Sequence, residues 1–192
     1  VTGLASNLGF EITAGAWLGS DLNANRREVD ALKAKIKNYP HIERVIVGNE
    51  VLLRNDLSVD ELASYLDEVR EKTTVPVSTA EPWHVWLKNP DLVKHVDYIA
   101  VHLLPYHEGV PADQAVDYAL KRYQELMDTY PRKKIVITEI GWPSHGPTLG
   151  AAVASDVNQA KFVREFLAKT AGKNYDYYLM EAFDQPWKQK LE

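Results

Sequence analysis

The sequence predicts an α/β fold of the TIM (β/α)8 barrel type from three observations. Strand-like apolar segments alternate with helical segments six times along the 192 residues. No hairpin signal such as Asn-Gly joins two strands, so the strands are expected to be parallel. Polar and aromatic residues gather where strands end, whereas strand starts are plain. A doubly wound sheet would concentrate them at one switch point, so their distribution favours a barrel, which collects every strand end around one mouth.

The first half of the chain contains three predicted strands and two predicted long helices. One helix spans Asp21–Asn38, with apolar residues at helical spacing, and stops at Tyr39-Pro40. The other follows the capping box Ser58-Val-Asp-Glu61, because its apolar residues recur at i, i+3, i+4 and i+7. The strands are predicted at Phe10–Leu18, Val45–Glu50 and Val75–Ala80.

The second half repeats the alternation. A short helix is predicted around Asp91–His95, a long one over Ala112–Tyr130 and a last one over Asn158–Thr170. In the long helix, Val116, Leu120, Tyr123 and Met127 are predicted to share one apolar face. The strands are predicted at Tyr98–Leu104, Lys133–Glu139 and Tyr175–Phe183.

Six βα units are two fewer than a closed barrel needs, and about 250 residues are typical for eight. Val1–Leu8 resembles the tail of a helix, and no helix follows the sixth strand. We therefore expect residues 1–192 to form one N-terminally truncated barrel domain that covers strands 3–8 and lacks the first two βα units.

Composition excludes several classes of function. The net charge is −5 with no basic run, which argues against a nucleic-acid partner. There is no cysteine, no stretch of about 20 apolar residues and no signal-peptide pattern. The six histidines show no metal-ligand spacing, and the glycines form no phosphate-binding fingerprint. We expect neither a metal nor a cofactor.

Two glutamates follow runs of apolar β-formers, Glu50 after Val45–Asn49 and Glu139 after Ile135–Thr138. Burying a carboxylate without a partner costs several kcal/mol, so such a position needs a reason. A lone strand-end glutamate commonly pairs with a cation or reaches solvent. A pair facing one barrel cavity is what glycoside hydrolysis needs: one acid to protonate the leaving oxygen and one carboxylate to attack or to activate water.

The motifs VIVGNEVLLR, ITEIGWPS and EAFDQPWK, in this order, resemble glycoside hydrolase family 17, the β-1,3-glucanases and related β-glucan transglycosylases. The resemblance implies a retaining mechanism with Glu50 as acid/base and Glu139 as nucleophile, their carboxyls about 5–5.5 Å apart. It also implies that Asn49 bonds the sugar 2-hydroxyl. Tyr106 and His102 are our candidates for hydrogen-bond donors that keep Glu139 ionised.

The segment His102–Tyr106 departs from the Asn-x-Tyr-Pro-Tyr pattern of the plant enzymes and looks closer to bacterial members of the family. Many of those are attached to membrane-bound glucan synthases and rearrange β-glucan chains. The resemblance therefore implies a β-glucan or gluco-oligosaccharide substrate, with transglycosylation favoured over hydrolysis, and possible attachment to such a synthase region. It also implies an extracellular or periplasmic location.

Aromatic side chains at strand ends suit the apolar faces of sugar rings, although core packing is an equally good explanation for any single tryptophan. The remaining alternative is a fragment that binds glucan through its tryptophans without turning it over. For Glu81 a structural salt bridge competes with a sugar contact. The expected substrate-binding residues are Trp142, Trp187, Trp83, Trp86, Glu81, Glu181, Phe183 and Lys188.

Overall fold

A computed structural model describes residues 2–183 and Gln185. Strands and helices alternate as the sequence predicted. One 3₁₀ helix, at Pro90–His95, follows α4. The strands are β1 (Ile12–Ala16), β2 (Ile42–Asn49), β3 (Val77–Pro82), β4 (Tyr98–Leu103), β5 (Lys134–Ile140) and β6 (Tyr177–Leu179). The helices are α1 (Thr2–Asn7), α2 (Leu22–Asn38), α3 (Val59–Arg70), α4 (Trp83–Lys88), α5 (Ala115–Thr129) and α6 (Asp156–Thr170).

The six strands form one sheet in the order β1-β2-β3-β4-β5-β6, so each strand lies beside its neighbours in sequence. The pairings of β1 with β2, β2 with β3, β3 with β4 and β5 with β6 are all parallel. At least one helix lies between every two successive strands, which is the pattern of consecutive βαβ units. Within the described residues, no helix is long and apolar enough to cross a membrane.

The chain divides into two compact units. The first unit comprises residues 1–102 and 123–136, and the second comprises residues 103–122 and 137–192. The single truncated domain expected from the sequence stays a prediction.

The core of the first unit lies between its strands and the helices that cover them. Val45, Val47 and Val77 are completely buried on β2 and β3. Val29 of α2 and Leu66 of α3 are likewise buried. Both helices begin where the sequence predicts, because Asp21 caps α2 and the capping box of Ser58 and Glu61 starts α3.

The second unit has an aromatic core. Trp142, Phe162 and Phe166 are buried, and the rings of Phe162 and Phe166 lie parallel with centroids 6.5 Å apart. The edge of Tyr177 on β6 meets Phe166 at a centroid distance of 4.9 Å. The aromatic residues of α6 thus attach that helix to β6 and to Trp142, which follows β5.

Three local predictions were wrong. The sequence analysis missed α4, whose six residues are too few for a periodic signal. The sixth strand is only three residues long instead of nine, since pairing with β5 is confined to Tyr177 and Leu179. In α5 the side chain of Met127 is 42% exposed, and the buried face includes Leu126 instead.

Candidate active site at the end of strand β2

The backbone at the end of β2 adopts an uncommon conformation. Gly48 has φ +87° and Glu50 has φ +52°, so two of three consecutive residues are left-handed. This region costs an L-residue such as glutamate about 1–2 kcal/mol, and strain of this kind clusters at functional sites. The geometry is held by main-chain bonds, because Glu50 N donates to Ala80 O at 2.8 Å and Arg54 N donates to Glu50 O at 2.9 Å.

The side chain of Glu50 contacts a buried histidine. Nδ1 of His102, at the end of β4, lies 2.9 Å from Oε1 of Glu50. The His102 side chain is 1% exposed, whereas that of Glu50 is 25% exposed. The Glu50 side chain is therefore oriented by a buried group and is itself partly exposed. The sequence predicts His102 as a hydrogen-bond donor to Glu139 and gives no sign of its contact with Glu50.

Glu81, at the end of β3, is completely buried. Its Oε1 accepts a hydrogen bond from Leu52 N at 2.7 Å, and its Oε2 accepts one from Leu53 N at 3.3 Å. Burial raises the pKa of Glu81 to about 7, with the negative charge of Glu50 acting in the same direction. The two amides and His102 act in the opposite direction. This environment favours a structural role for Glu81 over the predicted sugar contact.

Arg54 ties the end of β2 to the segment after β1, and sequence reasoning assigned it no role. Its Nη1 donates to Asn49 O, and its Nη2 donates to Leu18 O at 2.8 Å. Its Nε donates to Asp56 Oδ2 at 2.7 Å. The guanidinium also lies 4.6 Å from the ring centroid of Trp17. The only signal in the sequence is an arginine close behind a strand-end Asn-Glu.

Asn49 is the last residue of β2, where its main-chain oxygen accepts the Arg54 bond just described. Its side chain is partly exposed. The residue therefore directly precedes Glu50 at the carboxyl end of the strand, and its predicted bond to a sugar hydroxyl stays a prediction.

Glu139, in the second unit, is the sixth of the seven residues of β5 and is half-buried. The backbone beyond it is tightly packed, since a Cβ on Gly141 would lie 2.0 Å from Met180 O. The carboxyl of Glu139 thus stands at the end of a strand whose exit admits only glycine.

Tyr106 does not serve the predicted purpose in this structure. Its hydroxyl donates its single proton to the main-chain oxygen of Pro147, so it does not donate to Glu139. The ring is 4% exposed and meets Trp142 edge-on, with centroids 5.5 Å apart. Burial raises the pKa of the Tyr106 phenol. The residue packs and fixes the loop that contains Pro147.

The predicted substrate-binding residues differ in how far their side chains are exposed to solvent. Trp86 is completely buried and donates from Nε1 to Ala100 O at 2.9 Å, and Trp142 is 2% exposed and donates to Val153 O at 3.1 Å. Both therefore pack in the core in this structure, as the competing explanation had it. Trp83 is half-buried, Glu181 is exposed and Phe183 is 83% exposed. Trp187 and Lys188 lie outside the described residues.

No group of three or more His, Asp or Glu residues in the described part of the chain could hold a metal ion. The groups that surround Glu50 include the carboxyl of Glu81 and the imidazole of His102, which are groups that can exchange protons.

Comparison with known proteins identifies the family. A profile of the BtgE/BtgC glycoside hydrolase domain matches residues 1–192. The chain belongs to this family. Membership of glycoside hydrolase family 17 is supported by a solved relative, the glycoside hydrolase family 17 β-1,3-glucanosyltransferase of Rhizomucor miehei. It is 31% identical with a TM-score of 0.89, over 97% of this chain and 71% of that one.

A second structure of the Rhizomucor enzyme and a protein from Aspergillus are similar to this BtgE/BtgC domain as well. An active-site mutant of the Rhizomucor enzyme, solved with laminaritriose, is 30% identical with a TM-score of 0.88, over 97% of this chain and 71% of that one. The "Probable glucan endo-1,3-beta-glucosidase btgC" of Aspergillus clavatus is 28% identical, over 93% of this chain and 29% of its own length. The chain thus spans less than a third of that curated relative.

These similarities confirm the predicted family and the predicted barrel fold class. The two relatives named here come from Rhizomucor miehei and Aspergillus clavatus, and the bacterial character expected from His102–Tyr106 stays a prediction.

Proposed function

We propose that this chain is the catalytic part of a retaining enzyme that cleaves β-1,3-glucan and transfers the released glycosyl group to another sugar. The observation that carries the proposal is Glu50, a partly exposed carboxyl on a left-handed backbone at a strand end, oriented by buried His102. The family supports it, as do the names of the Rhizomucor β-1,3-glucanosyltransferase and the Aspergillus endo-1,3-β-glucosidase.

In the proposed first step, the Glu139 carboxylate attacks the anomeric carbon and forms a glycosyl ester. The bond to the leaving oxygen breaks, and Glu50 donates its proton to that oxygen. In the second step, Glu50 accepts a proton from an acceptor hydroxyl, which attacks the anomeric carbon and releases Glu139. Two inversions at that carbon give retention.

His102 contributes orientation to this cycle. A hydrogen bond at Oε1 restricts rotation of the Glu50 side chain, so less conformational freedom is lost when the carboxyl meets the glycosidic oxygen. Because the imidazole is buried, its bond to Glu50 does not compete directly with bulk water.

A second candidate, hydrolysis, differs only in the acceptor of the second step. The similarity to the Aspergillus protein named "Probable glucan endo-1,3-beta-glucosidase btgC" favours hydrolysis. Water would then take the glycosyl group. The laminaritriose in the Rhizomucor complex supports a β-1,3-linked oligosaccharide as substrate for either reaction. An extracellular or periplasmic location, and attachment to a membrane-bound glucan synthase region, stay proposals.

The test is a time course with a defined β-1,3-gluco-oligosaccharide. Products longer than the substrate would establish transfer, and only shorter products would establish hydrolysis. Glu50→Gln and Glu139→Gln are expected to reduce turnover by about 100-fold or more. Glu43→Gln is the matched control, since it makes the same change at the exposed start of the same strand β2 and should retain activity.

Azide distinguishes the two roles when an activated aryl β-glucoside is the substrate. With Glu50→Ala, azide should intercept the glycosyl ester and yield the β-azide. With Glu139→Ala, azide should attack the substrate directly and yield the α-azide. The reverse stereochemistry would exchange the roles. A folded protein without turnover of either substrate would refute catalysis and leave the glucan-binding alternative.

A further inference from the structure

Glu81 is a buried carboxyl that the proposed reaction does not use. Its side chain lies in the first unit between the ends of β2 and β3, and its relative exposure is zero. In the described part of the chain no lysine or arginine is among the groups that influence its ionisation. A buried carboxyl without a cation needs another compensation, because desolvation of its charge is costly.

That compensation comes from the turn directly after Glu50. The two oxygens of Glu81 accept from the amides of Leu52 and Leu53, at 2.7 Å and 3.3 Å. These amides follow Glu50 by two and three positions. The residue before Glu81, Ala80, accepts the amide of Glu50 itself at 2.8 Å. The end of β3 therefore holds Glu50 by its main chain and the following turn by the Glu81 side chain.

We propose that Glu81 is a positioning residue for Glu50: it holds the turn Val51–Arg54, so that Glu50 keeps its left-handed backbone, and its charge influences the protonation of Glu50. This proposal rests on the acid/base role proposed for Glu50 above. Glu81 itself touches no substrate in it.

The electrostatic part follows from the groups that face Glu81. These are Glu50, whose charge favours a protonated Glu81, and His102, which favours an ionised one. Coulomb interaction is reciprocal, so an ionised Glu81 favours a protonated Glu50. Above about pH 7, where Glu81 is mostly ionised, its charge therefore helps Glu50 to keep the proton that a general acid must carry.

The experiment compares the wild type with Glu81→Gln on two substrates, a β-1,3-gluco-oligosaccharide and a dinitrophenyl β-glucoside whose leaving group needs no proton. With the oligosaccharide, kcat should fall by about 10- to 100-fold while KM changes little. The basic limb of the pH profile should move down by about one pH unit. With the dinitrophenyl substrate, the loss in the first, glycosylation step should be much smaller.

Thr79→Val is the matched control. It removes a different buried bond to the same strand end, from Thr79 Oγ1 to Gly48 O at 3.0 Å, without changing charge. It should lower the melting temperature without moving the basic limb. If Glu81→Gln and Thr79→Val have the same pH profile, or if the glycosylation step slows equally with both substrates, the proposal is overturned.

A measurement on the wild type covers the case in which Glu81→Gln does not fold. The amide protons of Leu52 and Leu53 should be protected from hydrogen exchange, and free exchange of the Leu52 amide would overturn the proposal. Glu50→Gln is assayed in parallel. If that variant keeps full activity, the proposed function fails; if it is inactive while Glu81→Gln behaves as wild type, only the positioning role of Glu81 fails.

Discussion

Nδ1 of the buried His102 lies 2.9 Å from Oε1 of Glu50, although the two residues are 52 positions apart in sequence. The contact joins the carboxyl ends of β2 and β4, on either side of β3. Removing this contact by mutation tests most directly how Glu50 is oriented.

Replacing His102 should impair turnover in proportion to the loss of this contact. His102→Leu fills the space of the imidazole with an apolar side chain and removes the hydrogen bond to Glu50, so kcat should fall by about 10- to 100-fold. His102→Asn retains a nitrogen near the position of Nδ1 and should keep more activity. Steady-state kinetics measure both, and equal losses in the two variants would show that the contact does not orient Glu50.

Gly48→Ala should destabilise the first unit. The residue has φ +87°, and an added Cβ would lie 2.6 Å from Cγ2 of the buried Val51. Strain and overpacking together predict a loss of about 2–4 kcal/mol in the free energy of unfolding. Gly9→Ala is the control, because Gly9 has φ +75° but no atom lies within 4 Å of an added Cβ. This variant should lose only about 1 kcal/mol of its free energy of unfolding. Urea unfolding that ranks the two equally would contradict the packing argument.

In the second unit, Gly141→Ala should be still more damaging. Its Cβ would lie 2.0 Å from Met180 O, a main-chain atom that cannot rotate away. We expect the free energy of unfolding to fall by about 3 kcal/mol or more, as measured by thermal unfolding. Gly172→Ala adds the same methyl where nothing lies within 4 Å. Equal melting temperatures for the two variants would show that the exit of β5 is wider than described.

Glu81 should make stability depend on pH. Its pKa is raised from 4.5 to about 7 by burial, so between these values the folded state binds more protons than the unfolded state. The contribution of Glu81 is therefore fully present below about pH 4.5 and is lost as the pH rises through about 7. The loss is at most about 3–4 kcal/mol, since each pKa unit corresponds to about 1.4 kcal/mol.

Glu81→Gln isolates that contribution. The free energy of unfolding of the wild type, minus that of the variant, should fall between pH 5 and pH 8. Titrating groups that do not interact with Glu81 cancel in this difference. A difference that stays constant, or that rises with pH, would show that Glu81 is already ionised at pH 5 in the folded protein.

Much of the fold could be read from short segments. Continuous β-branched residues predicted β2, and the capping box predicted the start of α3 at Val59, because both signals depend on neighbours in sequence. Boundaries were less accurate at β6, where Tyr175–Phe183 has the composition of a strand but only Tyr177–Leu179 forms one.

The sequence by itself determined the alternation of strands and helices, the placement of Glu50 and Glu139 at strand ends, and the family. These depend on local patterns and motifs. Only the tertiary structure decided which side chains meet: His102 with Glu50, Glu81 with the amides of Leu52 and Leu53, and Arg54 with Leu18. It also decided that Trp86 is buried whereas Trp17 is 58% exposed. Such outcomes depend on strand register and on packing between residues far apart in the chain, which no local pattern encodes.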